Sequence, residues 1–225
     1  MLSAAEWEVI TLSLKVSGVA VVGNLPLAFG LAWLLARGRF PGKILLDALI
    51  YLPLVLPPVV TGWLLLLAFG NNGPIGRWLG EWLGLTFMFR WTGAALAAAV
   101  MALPLMVRAM RLSIEAVDRN LEGAARTLGA SPWRVFVTIT LPLSFPGVLA
   151  GAVLGFARSI GEFGATITFV SNIPGETRTL PLAIYSALQL PDSESVVTRL
   201  ALISVALAVG ALVFSAVLAG GELGS

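Results

Sequence analysis

Residues Leu121–Pro142 read LEGAARTLGASPWRVFVTITLP, a polar and basic island between two long apolar runs. Leu121, Ala124, Ala125 and Leu128 fall at i, i+3, i+4 and i+7, the spacing of one helix face. Asp118 or Asn120 can cap the start of that helix, and Gly129 suits its end. Ser131 and Pro132 have the chemistry of an N-cap and first residue of a second helix. The island therefore predicts a short helix, a sharp turn, and the start of a long helix that enters a membrane.

The rest of the chain supplies the membrane. Of 225 residues, 58% are hydrophobic and 12% charged, and the mean hydropathy is +0.93. A soluble domain carries about 25% charged residues, so this composition is that of an integral membrane protein. The length suits one bundle, with residues 1–225 forming a single transmembrane domain. There is no cysteine, hence no thiol chemistry, and no histidine, the commonest metal ligand and general base. A net charge of +2 is too small to suggest nucleic acid. The start, MLSAAEWEVI, is acidic where a cleaved signal would be basic, and the apolar run after it is too long for a signal core. It reads as a retained first span.

Five charge-free runs meet or approach the roughly 20 residues that a crossing needs. They are Val16–Ala36, Ala48–Phe69, Trp91–Val107, Val135–Ala157 and Leu200–Gly221, the third extendable through Met110 and Leu112. Arg37, Arg39 and Lys43 follow the first run, and Arg108, Arg111, Arg119, Arg126 and Arg134 follow the third. The opposite loops hold mainly Arg77, Arg90 and Arg178. The positive-inside rule then puts the N-terminus outside, and the C-terminus and the 121–142 island in the cytoplasm.

Gly18, Gly23, Asn24, Pro26 and Gly30 in the first span are expected to be packing contacts. Pro53, Pro57 and Pro58 must kink or break the second span. Pro57 and Pro58 are thus candidates for a pore-lining segment, and a structural kink is the competing reading. Gly70–Arg90 is expected as an external loop, with Trp78, Trp82, Trp91, Phe87 and Phe89 as interfacial anchors around a short amphipathic helix. Beyond the fourth span, Arg158 and Glu162 are four residues apart and can pair. An ionisable pair at membrane depth is a functional candidate, though self-neutralisation is a sufficient structural reason. Gly161 and Gly164 permit a helix break there. Thr166, Thr168, Ser171 and Asn172 could line a path for a hydrated anion, or form an external re-entrant turn held by its own hydrogen bonds. Leu182–Leu190 reads as a short outer helix, the last span as a small-residue packing helix, and the final residues as a fraying tail.

A nucleotide site is not among these motifs. In GRFPGKI, Gly38–Ile44, three residues separate the glycines and Ile44 stands where a phosphate loop needs Ser or Thr. No catalytic set or metal cluster is present in the sequence, so the chain reads as no enzyme, with no cofactor of its own.

The 121–142 island resembles the cytoplasmic loop of ABC importer permeases, the binding-protein-dependent transport system inner-membrane component family. Its pattern of Glu-Ala-Ala, three residues, Gly, nine residues, Ile, one residue, Leu-Pro is matched by Ala124, Ala125, Gly129, Ile139, Leu141 and Pro142. Gly123 occupies the family's Glu position, and Glu122 sits one residue earlier. Beyond the loop, FPGKILLD, LPLVLPPVVTG, MALPLMVRAMR and FARSIGEFGATITFVSNIPGETRTLPLAIY resemble the permeases of molybdate importers. Sulfate permeases have a related stretch around Gly161–Gly164, so a sulfate or other oxyanion permease is the alternative. The resemblance implies an all-α, polytopic type I ABC importer permease fold of about five transmembrane helices with a cytoplasmic coupling helix. Leu121, Glu122, Gly123, Ala124, Ala125, Leu128, Gly129 and Ala130 would couple to an ATPase. It further implies a second copy of the chain, two ABC ATPase subunits carrying ATP and magnesium, and an external molybdate-binding protein. Tungstate would share the route. A stand-alone channel or secondary transporter would need ion-coupling carboxylates inside spans, and only Glu162 qualifies. A simple membrane anchor would have no need of the triple proline or of the polar Thr166–Asn172 stretch.

Overall fold

A computed structural model describes residues 2–220, with side chains described for residues 2–213. Among the described residues every regular element is a helix. Its elements are α1 (Ala4–Arg37), α2 (Lys43–Val55), α3 (Pro58–Phe69), α4 (Pro74–Leu83), α5 (Trp91–Ala116), α6 (Arg119–Thr127) and α7 (Pro132–Val135). A π-helical turn (Phe136–Thr140) then leads into α8 (Leu141–Ile160), α9 (Gly164–Val170), α10 (Leu180–Ala187) and α11 (Glu194–Gly220). The expected fraying tail, Gly221 and the side chain of Ser215 lie outside these limits.

Four stretches are long and apolar enough to cross a membrane: Ala4–Arg37, Trp91–Ala116, Pro132–Ile160 and Glu194–Val213. The second span is broken, as its prolines predict. It begins earlier, at Lys43, and the chain bends by 117° between α2 and α3. Pro57 and Pro58 remove two consecutive backbone donors and fix φ, which ends α2 at Val55 and makes Pro58 the first residue of α3. Counting the bent pair as one gives five spans.

α5 is the hub. Ala94, Ala97, Ala98, Met101, Ala102, Met106 and Met110 are buried on it, and α1, α3, α8 and α9 gather round. Gly147, Gly151 and Gly155 recur every fourth residue of α8 and bring it against Ser113, Met110 and Met106 of α5. The glycines of α1 do not behave as expected. Side-chain positions at Gly18, Gly23 and Gly30 face open space. The packing stripe is Ser13, Ser17, Ala20, Asn24, Ala28 and Ala32, a different face of the same helix. Asn24 belongs to it and donates to the Ala99 carbonyl of α5 at 2.7 Å.

The last span also departs from expectation. Leu202, Val205 and Val209 are each more than half exposed. α11 is tied to α1 mainly near one end, where Arg199 meets Glu6 at 2.9 Å. It is a peripheral helix: Leu200, Ile203 and Leu207 pack on one side, toward Val9, Ile10, Leu180 and Ala183, and the side carrying Leu202, Val205 and Val209 is exposed. α2 is similarly peripheral. Only Ile50 of that helix is buried, and Asp47 pairs with Arg111 of α5 at 2.8 Å. α4 is the short helix expected outside, and Ile75, Trp78 and Trp82 form one exposed apolar face. Trp91, at the start of α5, carries Lys15 over its ring at 3.7 Å.

Candidate functional site

Two places concentrate the polar groups. The first surrounds α6. The Asp118 carboxylate accepts from the backbone N–H of Asn120 at 2.8 Å, the cap that the sequence allowed. Gly129 adopts φ +85°, which a side chain would strain, and turns the chain into α7. Ser131 caps α7 by accepting from Arg134 N–H at 3.3 Å. The helix itself closes at Thr127, so Leu128, Gly129 and Ala130 form the turn rather than its last residues.

α6 presents two opposite faces. Leu121, Ala124 and Leu128 point away from the chain, with Leu121 and Leu128 50% and 88% exposed. Arg119, Glu122, Gly123 and Arg126 repeat at i, i+3, i+4 and i+7 and face a cavity of about 770 Å³. Its other walls come from Trp33 and Arg37 of α1 and from Trp133 and Phe136. Glu122 is the tie. One oxygen, Oε1, accepts from Arg37 Nη2 at 2.9 Å and from Thr140 Oγ1 at 2.8 Å. Arg37 also donates to the carbonyl of Val117, just before α6, at 3.3 Å. The Arg37 and Glu122 side chains retain only 13% and 15% exposure. Three segments thus converge on one carboxylate: the end of α1, α6, and the π turn that opens the fourth span. Sequence reasoning named Glu122 but missed Arg37 and Thr140, since no local spacing links residues 85 and 18 positions away.

The second place is the break between α8 and α9. Gly155 lies against Met106, fifteen residues or about 22 Å along α5 from Trp91. Gly161 is six residues, about 9 Å, back toward Trp91, so the break sits about 13 Å below the Trp91 level. That is near the middle of a core about 30 Å thick. Arg158 and Glu162 pair there at 2.6 Å, with Glu162 2% exposed. The other Glu162 oxygen accepts from Ala165 N–H at 2.8 Å and so caps α9. The break in the second span meets this one. A Cβ on Gly164 would lie 2.8 Å from Pro58, and a Cβ on Gly62 would lie 2.6 Å from the Ala165 carbonyl. These two glycines allow α3 and α9 to touch backbone to backbone. Pro57, Pro58, Arg158, Glu162, Thr166 and Thr168 therefore gather around paired helix breaks. Thr166 is buried, and Thr168 bonds back to the Gly164 carbonyl at 2.8 Å. Thr61 and Ser159 carry buried hydroxyls without a partner. Neither was singled out from the sequence.

Ser171 and Asn172 lie apart from this cluster, at the far end of α9. Ser171 accepts from Thr177 through its carbonyl. Asn172 donates to Ser186 at 2.6 Å and accepts from Arg178 at 2.9 Å. These bonds hold the 171–179 loop together and tie it to α10. Among the described residues no cluster of metal-ligating side chains occurs.

The all-helical bundle with a short amphipathic helix between its third and fourth spans is the fold expected of a type I ABC importer permease, and comparison with known proteins agrees. The chain belongs to the family described as binding-protein-dependent transport system inner membrane component, which it matches over residues 25–221. It is 61% identical over 215 residues to the molybdenum transport system permease protein ModB of Escherichia coli (strain K12), covering 96% of this chain and 94% of that protein. Against ModB of Haemophilus influenzae it is 60% identical, covering 93% and 92%. The sulfate transport system permease protein CysT of Escherichia coli (strain K12) is 39% identical, covering 83% and 70%. In fold it is similar to the crystal structure of a bacterial ABC transporter involved in the import of the acidic polysaccharide alginate. The TM-score is 0.75 at 17% identity, covering 97% of this chain and 80% of that one. The chain is accordingly a multi-pass inner-membrane protein.

Proposed function

We propose that this chain is the membrane-spanning permease subunit of an ATP-driven importer that carries molybdate, and tungstate by the same route, across the inner membrane by alternating access. The observation that carries the substrate is 61% identity, over 96% of this chain, to a molybdenum permease. The geometry supports the mechanism. The outward face of α6 is apolar and unpartnered within the chain, as a helix seated in a cleft of a separate ATPase would be. Glu122 ties that helix to α1 and to the fourth span, so a push on α6 reaches two spans as a rigid-body motion. The paired breaks at Pro57–Pro58 and Gly161–Gly164 are where the spans can rearrange around an anion. Irregular backbone at that depth is tolerated only against protein or water.

The assembly we infer has two copies of this chain, two ATPases carrying ATP and magnesium, and an external binding protein. The exposed faces of α2 and α11 leave room for the second copy. The N-terminus lies outside and α6 in the cytoplasm, as the arginine distribution supports. Residues 1–225 act as one permease domain with no catalytic site of their own. The test is a paired substitution, Leu121→Asp with Leu128→Asp, in the co-expressed complex. The permease should still be made and should lose the ATPase on purification. Full retention of the ATPase would remove α6 as the contact. Molybdate uptake by vesicles that lack the ATPase would instead favour a stand-alone channel.

A further inference from the structure

The cavity behind α6 is not the face offered to the ATPase. It lies on the opposite side of that helix, against α1 and the start of the fourth span. Its charge is unbalanced: Arg37, Arg119 and Arg126 face it and Glu122 alone opposes them. Glu122 is engaged by Arg37, and Arg119 and Arg126 form no ion pair among the described residues. Arg37 also keeps a buried Nε without a hydrogen-bond partner. The remaining wall is aromatic. Phe136 meets Trp33 edge to face and lies tilted against Trp133, at centroid distances of 6.2 and 5.5 Å. Trp133 is 72% exposed. Gly30 adds a stretch of α1 with open space above it.

We propose that this cavity binds the headgroup of an anionic glycerophospholipid, with the phosphodiester on Arg119 and Arg126 and the acyl chains along Trp33, Phe136 and the Gly30 surface of α1. Basic groups beside interfacial tryptophans, at the level where a span leaves the bilayer, suit this ligand. A free phosphate would use the arginines and leave the apolar wall empty. A bound lipid would brace the coupling helix from behind. The proposal rests on the membrane placement of α6 inferred above. The probe lipid fills both leaflets in the test, so the outcome does not depend on which side is cytoplasmic.

The test uses the purified permease–ATPase complex in nanodiscs of equal phosphatidylglycerol and phosphatidylcholine. Bromines near the ester end of the chains are placed on one lipid or the other. Tryptophan quenching in the parent minus that in Trp133→Phe isolates the cavity signal. The expected result is stronger quenching by brominated phosphatidylglycerol. That preference should fall about fivefold for each arginine neutralised in Arg119→Gln and Arg126→Gln and persist in the Lys versions. Retained ATPase on the variants shows that they are folded. Equal quenching by the two lipids would overturn the proposal, as would a preference unchanged by the Gln pair. Relief of quenching by millimolar inorganic phosphate would mean a small-anion site instead. No quenching of Trp133 by either lipid would mean that protein, such as the second copy, covers the cavity.

Discussion

Replacing Glu122 with alanine should detach α6 from the membrane helices while leaving the bundle intact. The carboxylate accepts two hydrogen bonds on one oxygen, from Arg37 and Thr140. Removing one partner of a buried pair costs about 3–5 kcal/mol, because the other charge is left uncompensated. Arg37 and Glu122 keep 13% and 15% exposure, so water recovers part of that, and about 2 kcal/mol is a fair figure for local opening. At 1.4 kcal/mol per factor of ten, amide exchange across Arg119–Thr127 should rise about thirtyfold. Glu122→Gln keeps both acceptor bonds and loses only the charge assistance, so its increase should be about fivefold. The assay is hydrogen exchange read by mass spectrometry on the assembled complex, with uptake per ATP hydrolysed measured in parallel. Exchange should rise locally, and ATP hydrolysis should continue with less transport. Unchanged protection across α6 in the alanine variant would refute the tie.

Three further outcomes follow from the same geometry. The double variant Arg37→Met with Glu122→Leu removes both charges together and should recover most of the α6 protection that Glu122→Ala loses; protection as low as in the single variant would mean that the charges do not act as a pair. Gly62→Val places a side chain into the Ala165 backbone and should cost about 1–3 kcal/mol of stability, seen as a lower melting temperature in detergent, whereas Gly18→Val faces open space and should melt like the parent. Glu162→Ala removes both the Arg158 partner and the cap on α9, so it should impair uptake more than Glu162→Gln, which retains an acceptor for Ala165 N–H.

The α6 region was readable because its signals are local. An acid at the cap, apolar residues at helical spacing, a glycine for a positive φ and a Ser-Pro start each act within a few residues. The α2–α3 break was readable for the same reason, since proline acts on its own backbone; the 117° turn was not, because it depends on how α3 seats against α9. Gly18, Gly23 and Gly30 misled because a small residue allows close packing only where a neighbour arrives, and the neighbour came to the Ser13–Ala32 stripe instead. Arg158 and Glu162, four apart on one helix, were paired in advance. Glu122 and Arg37, brought together by the bundle across 85 positions, were not. The depth of the α8–α9 break likewise came only from the packing of Gly155 on Met106.

The most direct test of the account is ATP-driven uptake of labelled molybdate into vesicles holding this chain with its ATPase and binding protein, with tungstate and excess sulfate as competitors. The account predicts uptake that needs ATP, is blocked by tungstate and is indifferent to sulfate. Sulfate uptake with molybdate only a weak competitor would contradict the substrate while keeping the architecture, and uptake of no oxyanion by the intact complex would contradict the proposed function altogether.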